Sequence, residues 1–125
     1  GMHEAMTELH ARGYTLAVLS NKPDAYVKGI ISSLFDEGVI PIAMGETDLP
    51  RKPDPTAPLL IASELGAEPW QCAFIGDSEV DIKTAQNAGM TSVAVSWGFR
   101  DKEDLLAIAP DVLIDDPSEL SSLFE

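Results

Sequence analysis

The segment Gly76-Asp77-Ser78-Glu79-Val80-Asp81 sets two carboxylates four residues apart, where an apolar run gives way to a helical pattern. With Asp77 in the turn and Asp81 in the first helical turn, both acids can face a common point. Mg2+ takes a few carboxylates and completes its shell with water and phosphate oxygens, so the pair forms an incomplete but sensible metal site. The same two residues equally suit a plain helix start, Asp77 as cap and Asp81 as first-turn charge against the dipole. Lys52, within Arg51-Lys52-Pro53-Asp54-Pro55, is a cation in a loop stiffened by prolines. Near a phosphoryl group it would offset developing negative charge; taken alone, it reads more simply as an exposed lysine. Ser20-Asn21 could hold phosphate oxygens through a hydroxyl and the free N–H groups of a helix start, or could merely cap that helix.

These residues need elements to position them, and the chain alternates helix and strand. Met2, Ala5, Met6 and Leu9 recur at helical spacing up to a stop at Gly13. Thr15 to Leu19 is a short continuous apolar run, the pattern of a strand buried on both faces, ending at Ser20-Asn21. Pro23 suits a first helical position, followed by the apolar stripe Tyr26, Val27, Ile30, Ile31 and Leu34. A second strand runs from Val39 to Met44 and stops at Gly45, with Pro41 pointing to a strand edge or beginning. Asp54-Pro55 reads as N-cap and first-turn proline of a helix ending at Gly66. Cys72 to Ile75 is a third strand, and Val80, Ile82, Ala85 and Ala88 mark a helix closed by Gly89. Ser92 to Val95 is a fourth strand, and 96–100 a loop. Asp101 with Asp104 would cap the next helix. Val112 to Ile114 is the fifth strand, and Asp116-Pro117 opens the last helix.

Five strands alternating with helices predict an α/β domain with a mainly parallel sheet, in one compact unit without repeats or linkers. Ligands of such sheets bind outside the carboxyl ends of the strands. Ser20-Asn21, Lys52 and Asp77 all follow strands, so three chemically different polar groups gather on one rim.

Composition narrows the function classes. The 125 residues carry 21 acids against eight Lys and Arg, a net charge of −13, which disfavours sequence-independent binding to nucleic acid. Residues 101–125 hold eight acids and one base, Lys102, and read as a solvated face. No apolar run approaches the roughly 20 residues that span a bilayer, and no leader pattern precedes a cleavage site. The single cysteine, Cys72, reads as a small core residue, and a reducing cytoplasmic compartment fits it. His3 and His10 read as exposed, and Trp97 as packing on the core more readily than lining a pocket. The glycine signatures of dinucleotide sites, P-loops and hydrolase nucleophile elbows are absent.

Leu19-Ser20-Asn21-Lys22-Pro23, Arg51-Lys52-Pro53-Asp54-Pro55 and Gly76 to Asp81 occur in the order of three motifs of the haloacid dehalogenase (HAD) superfamily. With Ala88-Gly89-Met90 and Ser96-Trp97-Gly98, the chain most resembles the phosphoglycolate-phosphatase-like branch. The resemblance implies a three-layer Rossmann-like core and a Mg2+-dependent phosphomonoester hydrolase of a small phosphorylated metabolite, working through an aspartyl-phosphate. It matches Ser20 and Asn21 to the phosphoryl-binding hydroxyl and backbone. Lys52 matches the lysine that neutralises nucleophile and phosphate, Asp77 the acidic metal ligand, and Asp81 the acid holding the metal directly or through water.

One part of that pattern does not occur. The family's first motif, an apolar strand followed by Asp-x-Asp, supplies the nucleophile and lies mid-sheet between the strands ending here at Ser20 and Asp77. The expectation is therefore an incomplete core over 1–125 that carries the second to fourth motifs, without the central strand or the substrate-selecting cap. Such a chain is expected to be inactive alone, and to pair its strands directly, take a strand from an N-terminal segment or second chain, or leave open edges. Two other classes are a non-catalytic phosphate- or Mg2+-binding regulatory module and a response-regulator receiver. The receiver is disfavoured because its lysine should follow the acids, whereas Lys52 precedes Asp77 and Asp81.

Overall fold

A computed structural model describes residues 2–98 and 101–123. Phe99 and Arg100, assigned above to a loop, lie outside the described residues. The order is α1 (Met2–Ala11), β1 (Ala17–Pro23), α2 (Asp24–Leu34), β2 (Ile42–Glu46), α3 (Thr56–Glu64), β3 (Ala73–Gly76), α4 (Glu79–Ala88), β4 (Thr91–Val95), α5 (Lys102–Ala107), β5 (Val112–Ile114) and α6 (Glu119–Leu123). All strand pairs are parallel, in two pieces: β1 with β2, and β3-β4-β5 with β4 central.

The period-two alternation of strand side chains builds the layers. On one face Ala73, Ile75, Val93, Val95, Val112 and Ile114 pack with Ala5 and Leu9 of α1 and Leu120 of α6. On the other, Phe74 meets Ala62 of α3 and Ala85 and Ala88 of α4, while Ala94 and Leu113 meet Ile82 of α4 and Leu105 of α5. β4 is buried from Ser92 to Val95, whereas β1 and β3, which share no ladder, are half-buried along their apolar residues.

Several boundaries differ from expectation. The first strand does not end at Ser20 but continues to Pro23, which precedes α2 instead of opening it. The five residues of β1 from Leu19 to Pro23 stand against only three of β2, Met44 to Glu46, so Ser20 to Lys22 bulge at the rim. Gly45 faces this bulge: a Cβ there would lie 2.6 and 2.7 Å from Asp24 Cα and N and closer still to the Lys22 carbonyl. The Gly45 amide donates to Asp24 Oδ1 at 2.9 Å. The second strand starts after Pro41, at Ile42, and includes Gly45. α3 begins one residue later than the sequence suggests, at Thr56, whose amide donates to Asp54 Oδ1 at 2.9 Å. Asp101 occupies the N-cap position of α5 without a side-chain cap bond. Gly89 closes α4 at φ 75°, the left-handed conformation that glycine takes without penalty.

Cys72 is half-buried beside Phe74, and burial pushes its thiol up from the ordinary value. His3 is exposed, but its Nε2 lies 2.8 Å from the Leu34 carbonyl and its ring stacks on Phe35, joining α1 to the end of α2. Trp97 is exposed, so it does not pack on the core as the sequence suggested. No helix among the described residues is long and apolar enough to cross a membrane.

Gly45→Ala forces a methyl group into backbone atoms that cannot turn away. It should cost at least about 2 kcal/mol, read as a fall of roughly 8 °C in Tm. Asp24 is held below the usual carboxylate range first by the Lys28 ammonium and then by the Gly45 amide. A depressed folded pKa contributes stability above the unfolded value, near 4, which is lost as pH falls through the folded one. Asp24→Asn should therefore lower stability at neutral pH and flatten its decline below about pH 4, measured by urea midpoints against pH.

Candidate active site

The chain passes from β1 to β2 on one side and from β3 through β5 on the other. The carboxyl ends of β1 and β3, the side of the strands on which open α/β sheets bind ligands, lie against one cleft. It is open, about 340 Å3 in volume, and lined by Asn21, Lys52, Asp77, Ser78, Glu79, Val80 and Asp81. Four of the five sequence-selected residues share it, contributed by β1, the β2–α3 loop, the β3–α4 turn and α4. The fifth, Ser20, lines an adjoining hollow with Arg51 and Lys52, and its Oγ accepts from the Lys22 amide at 3.1 Å.

Asp81 is the hub. Its Oδ1 accepts from Lys52 Nζ at 2.7 Å, and both side chains are nearly buried, at 11% and 13% exposure. Its Oδ2 accepts from the Asp77 amide and from Ser78 Oγ, each at 3.1 Å. Ser78 also caps α4, its Oγ accepting from the Asp81 amide at 3.3 Å. One carboxylate therefore holds the cation, shapes the turn that presents Asp77, and belongs to the capped first turn. Lys52 reaches it from a loop anchored at Pro53, whose carbonyl accepts from Asn87 Nδ2 of α4 at 2.9 Å; the Lys52–Pro53 peptide is cis. The Lys52 ammonium lies 6.0 Å from the centre of the Phe74 ring, a favourable cation–π placement.

Two glycines make room for the acids. A Cβ on Gly76 would strike the Asp81 side chain, and one on Gly98, in the turn after β4, would strike Asp77. Sequence reasoning missed Ser78, Asn87 and the spatial roles of both glycines. Ser78 was readable as the N-cap ahead of Glu79, whereas Asn87 and Gly98 act across 34 and 21 positions of chain, which no local pattern encodes.

The chain matches the model of the haloacid dehalogenase-like hydrolase family over residues 1–95. The chain belongs to that family. Among curated HAD relatives, a phosphoglycolate phosphatase of Salmonella paratyphi A is 36% identical over 118 residues, covering 94% of this chain and 47% of that protein. One of Xanthomonas campestris pv. campestris is 34% identical over 122 residues, covering 96% and 55%. A solved structure from Lactobacillus delbrueckii subsp. bulgaricus, assigned to the phosphoglycolate phosphatases, aligns at a TM-score of 0.90 and 37% identity, covering 97% of this chain and 51% of that one. A HAD-like hydrolase from Streptococcus pneumoniae, at 24% identity, shares the fold with a TM-score of 0.87, covering 98% of this chain and 57% of that one. The chain thus spans about half the length of the curated HAD relatives it matches.

The HAD site has the oxygen donors that suit Mg2+. Asp77, Glu79 and Asp81 line the cleft against one cation, Lys52. That excess of negative charge would repel a phosphate unless a divalent cation joined it. Asp77 and Asp81 are the acids that could hold such an ion, Asp81 with oxygens that also accept from Lys52, Ser78 and the Asp77 amide. Among the described residues no group of three or more acidic, His or Cys side chains is close enough to hold a metal unaided. An ion here would complete its shell with water and phosphate oxygens.

Removing one member of a nearly buried ion pair strands the other, typically at about 3 kcal/mol. Lys52→Met should therefore lower Tm by roughly 10 °C. A urea double-mutant cycle with Asp81→Asn should return a coupling energy above about 1 kcal/mol; additive losses would show that the pair contributes no mutual stabilisation.

Proposed function

We propose that this chain supplies the phosphate- and metal-holding side of a Mg2+-dependent phosphomonoester hydrolase of the phosphoglycolate phosphatase type. The observation that carries the reading is the cleft at the carboxyl ends of β1 and β3, where Lys52, Asp77 and Asp81 meet. In it Lys52, anchored by Asp81, still has ammonium protons to donate to a phosphoryl oxygen. Ser20 Oγ accepts from a backbone amide and keeps its own proton for the phosphate, with Asn21 beside it. Asp77 presents the metal ligand, and Asp81 fixes both Asp77's turn and the Lys52 ammonium. Bound Mg2+ would draw charge from the phosphoryl oxygen and orient it. The substrate class is a small phosphorylated metabolite.

The attacking aspartate of an aspartyl-phosphate route comes, on this proposal, from outside the 125 residues, on a parallel strand entering between β1 and β3. Two features support it: these strands share no hydrogen bonds, and each sequence relative cited above is about twice as long as the matched region. The isolated chain then binds without turnover.

Mg2+ with inorganic phosphate, each at about 100 times Kd, should raise Tm by roughly 10 °C, while p-nitrophenyl phosphate stays intact. Co-expression with the portion of the Xanthomonas relative that precedes the matched region should restore Mg2+-dependent hydrolysis, and Asp77→Ala should abolish it. Hydrolysis by the 125-residue chain alone would overturn the external nucleophile. Absence of any protection by Mg2+ and phosphate would overturn the site itself.

A further inference from the structure

The turn after β4 reaches back to the candidate site at Gly98. Its φ lies outside the left-handed region, so backbone conformation does not demand glycine there. Space does: a Cβ would sit 2.7 Å from Asp77 Cγ and closer still to Asp77 Cβ and Oδ2. An obstructed carboxylate oxygen can rotate away, but Asp77 Cβ is fixed by the backbone where β3 ends. The approach is also rigid from the other side. Gly76 pairs with Ala94 in the ladder, and β4 is buried, with Val93, Ala94 and Val95 at 1%, 0% and 6% exposure. The turn is pinned by the Ser96 amide on the Ile114 carbonyl at 3.0 Å and by Ser96 Oγ on Asp115 at 2.7 Å.

We propose that Gly98 is a positioning residue for Asp77: the missing side chain leaves the Asp77 carboxylate the orientation it takes at the cleft, and a Cβ there would confine it to others. Metal affinity is then set partly by Gly98, which has no side chain to act as a ligand. This consequence rests on Asp77 as a metal ligand, whereas the positioning itself does not. Gly76 plays the matching part for Asp81, whose Cβ, Cγ and Oδ2 a Gly76 Cβ would strike.

The test is a cycle of wild type, Gly98→Ala, Asp77→Gly and the double variant, followed by urea midpoints and Mg2+ titration. Gly29→Ala serves as control, because nothing lies within 4 Å of a Cβ there. Gly98→Ala should lower the urea midpoint in the wild-type background and leave it unchanged in the Asp77→Gly background, where the obstructing atoms are gone. If Gly98→Ala fails to fold alone, folding of the double variant gives the same answer. Mg2+ affinity should fall at least tenfold in Gly98→Ala and stay unchanged in Gly29→Ala. Equal penalties in both backgrounds would overturn the proposal, as would undiminished Mg2+ binding by Gly98→Ala. A wild type that binds no Mg2+ would remove the metal reading of Asp77, while the urea cycle would still decide the positioning.

Discussion

The ion pair between Lys52 and Asp81 is the contact on which the rest of the molecule turns. The two pieces of sheet share no strand pairing, so side chains must join them. Lys52 comes from the loop after β2 and Asp81 from the helix after β3, and their 2.7 Å contact crosses that division. Asn87 on Pro53 is a second tie, and Ala62 of α3 against Ala85 and Ala88 of α4 a third. An ion pair this far from water stabilises only if its remaining bonding capacity is met. Here Asp81 accepts from a lysine, a hydroxyl and an amide, and no described buried side-chain N or O atom lacks a partner. The interaction that joins the halves thus also arranges the cleft.

On the function proposed above, a chain of net charge −13 holds an anion only with a divalent cation beside Lys52, because Asp77, Glu79 and Asp81 leave the cleft itself negative. Three of its eight Lys and Arg residues, Lys22, Arg51 and Lys52, lie at the carboxyl ends of β1 and β2 or in the loop between β2 and α3. Lys22 lies over the Tyr26 ring at 5.6 Å, and Arg51 Nη2 donates to the Asn21 carbonyl at 3.4 Å. Exposed charges more than a Debye length away are screened, whereas charges inside the cleft are not.

Much of this was legible in the sequence, for identifiable reasons. Val112 to Ile114 formed the strand its apolar run implied, and Gly89 stopped α4, because both signals are local. The carboxyl-end rim followed from strand order alone, and it brought Asn21, Lys52, Asp77 and Asp81 together. What failed was the boundary of β1. Ser-Asn-Lys-Pro has the composition of a turn, yet the backbone stays extended through a bulge that Gly45 accommodates from the neighbouring strand. Trp97 misled because size suggested burial, whereas at 39% exposure it lies outside the buried core clusters. The Lys52–Asp81 contact spans 29 positions, so its pairing could be read only from the fold.

The divided sheet carries one more consequence. Strands paired on both sides in a covered parallel sheet should be buried along their length, as β4 is. The apolar residues of β1 and β3, Ala17 to Leu19 and Ala73 to Ile75, are only half-buried, and each strand has a ladder partner on one side only. Each therefore has an edge of backbone N–H and C=O groups outside the described ladders, on either side of the cleft. Such edges are templates for another strand. A segment running parallel to both would complete two ladders at once, bury the exposed flanks of Val18 and Phe74, and end its carboxyl terminus beside Asn21 and Asp77. Backbone satisfaction and site completion would then be one event. On the function proposed above, the same strand that closes the sheet delivers the reacting carboxylate, so binding competence and catalytic competence separate at that strand.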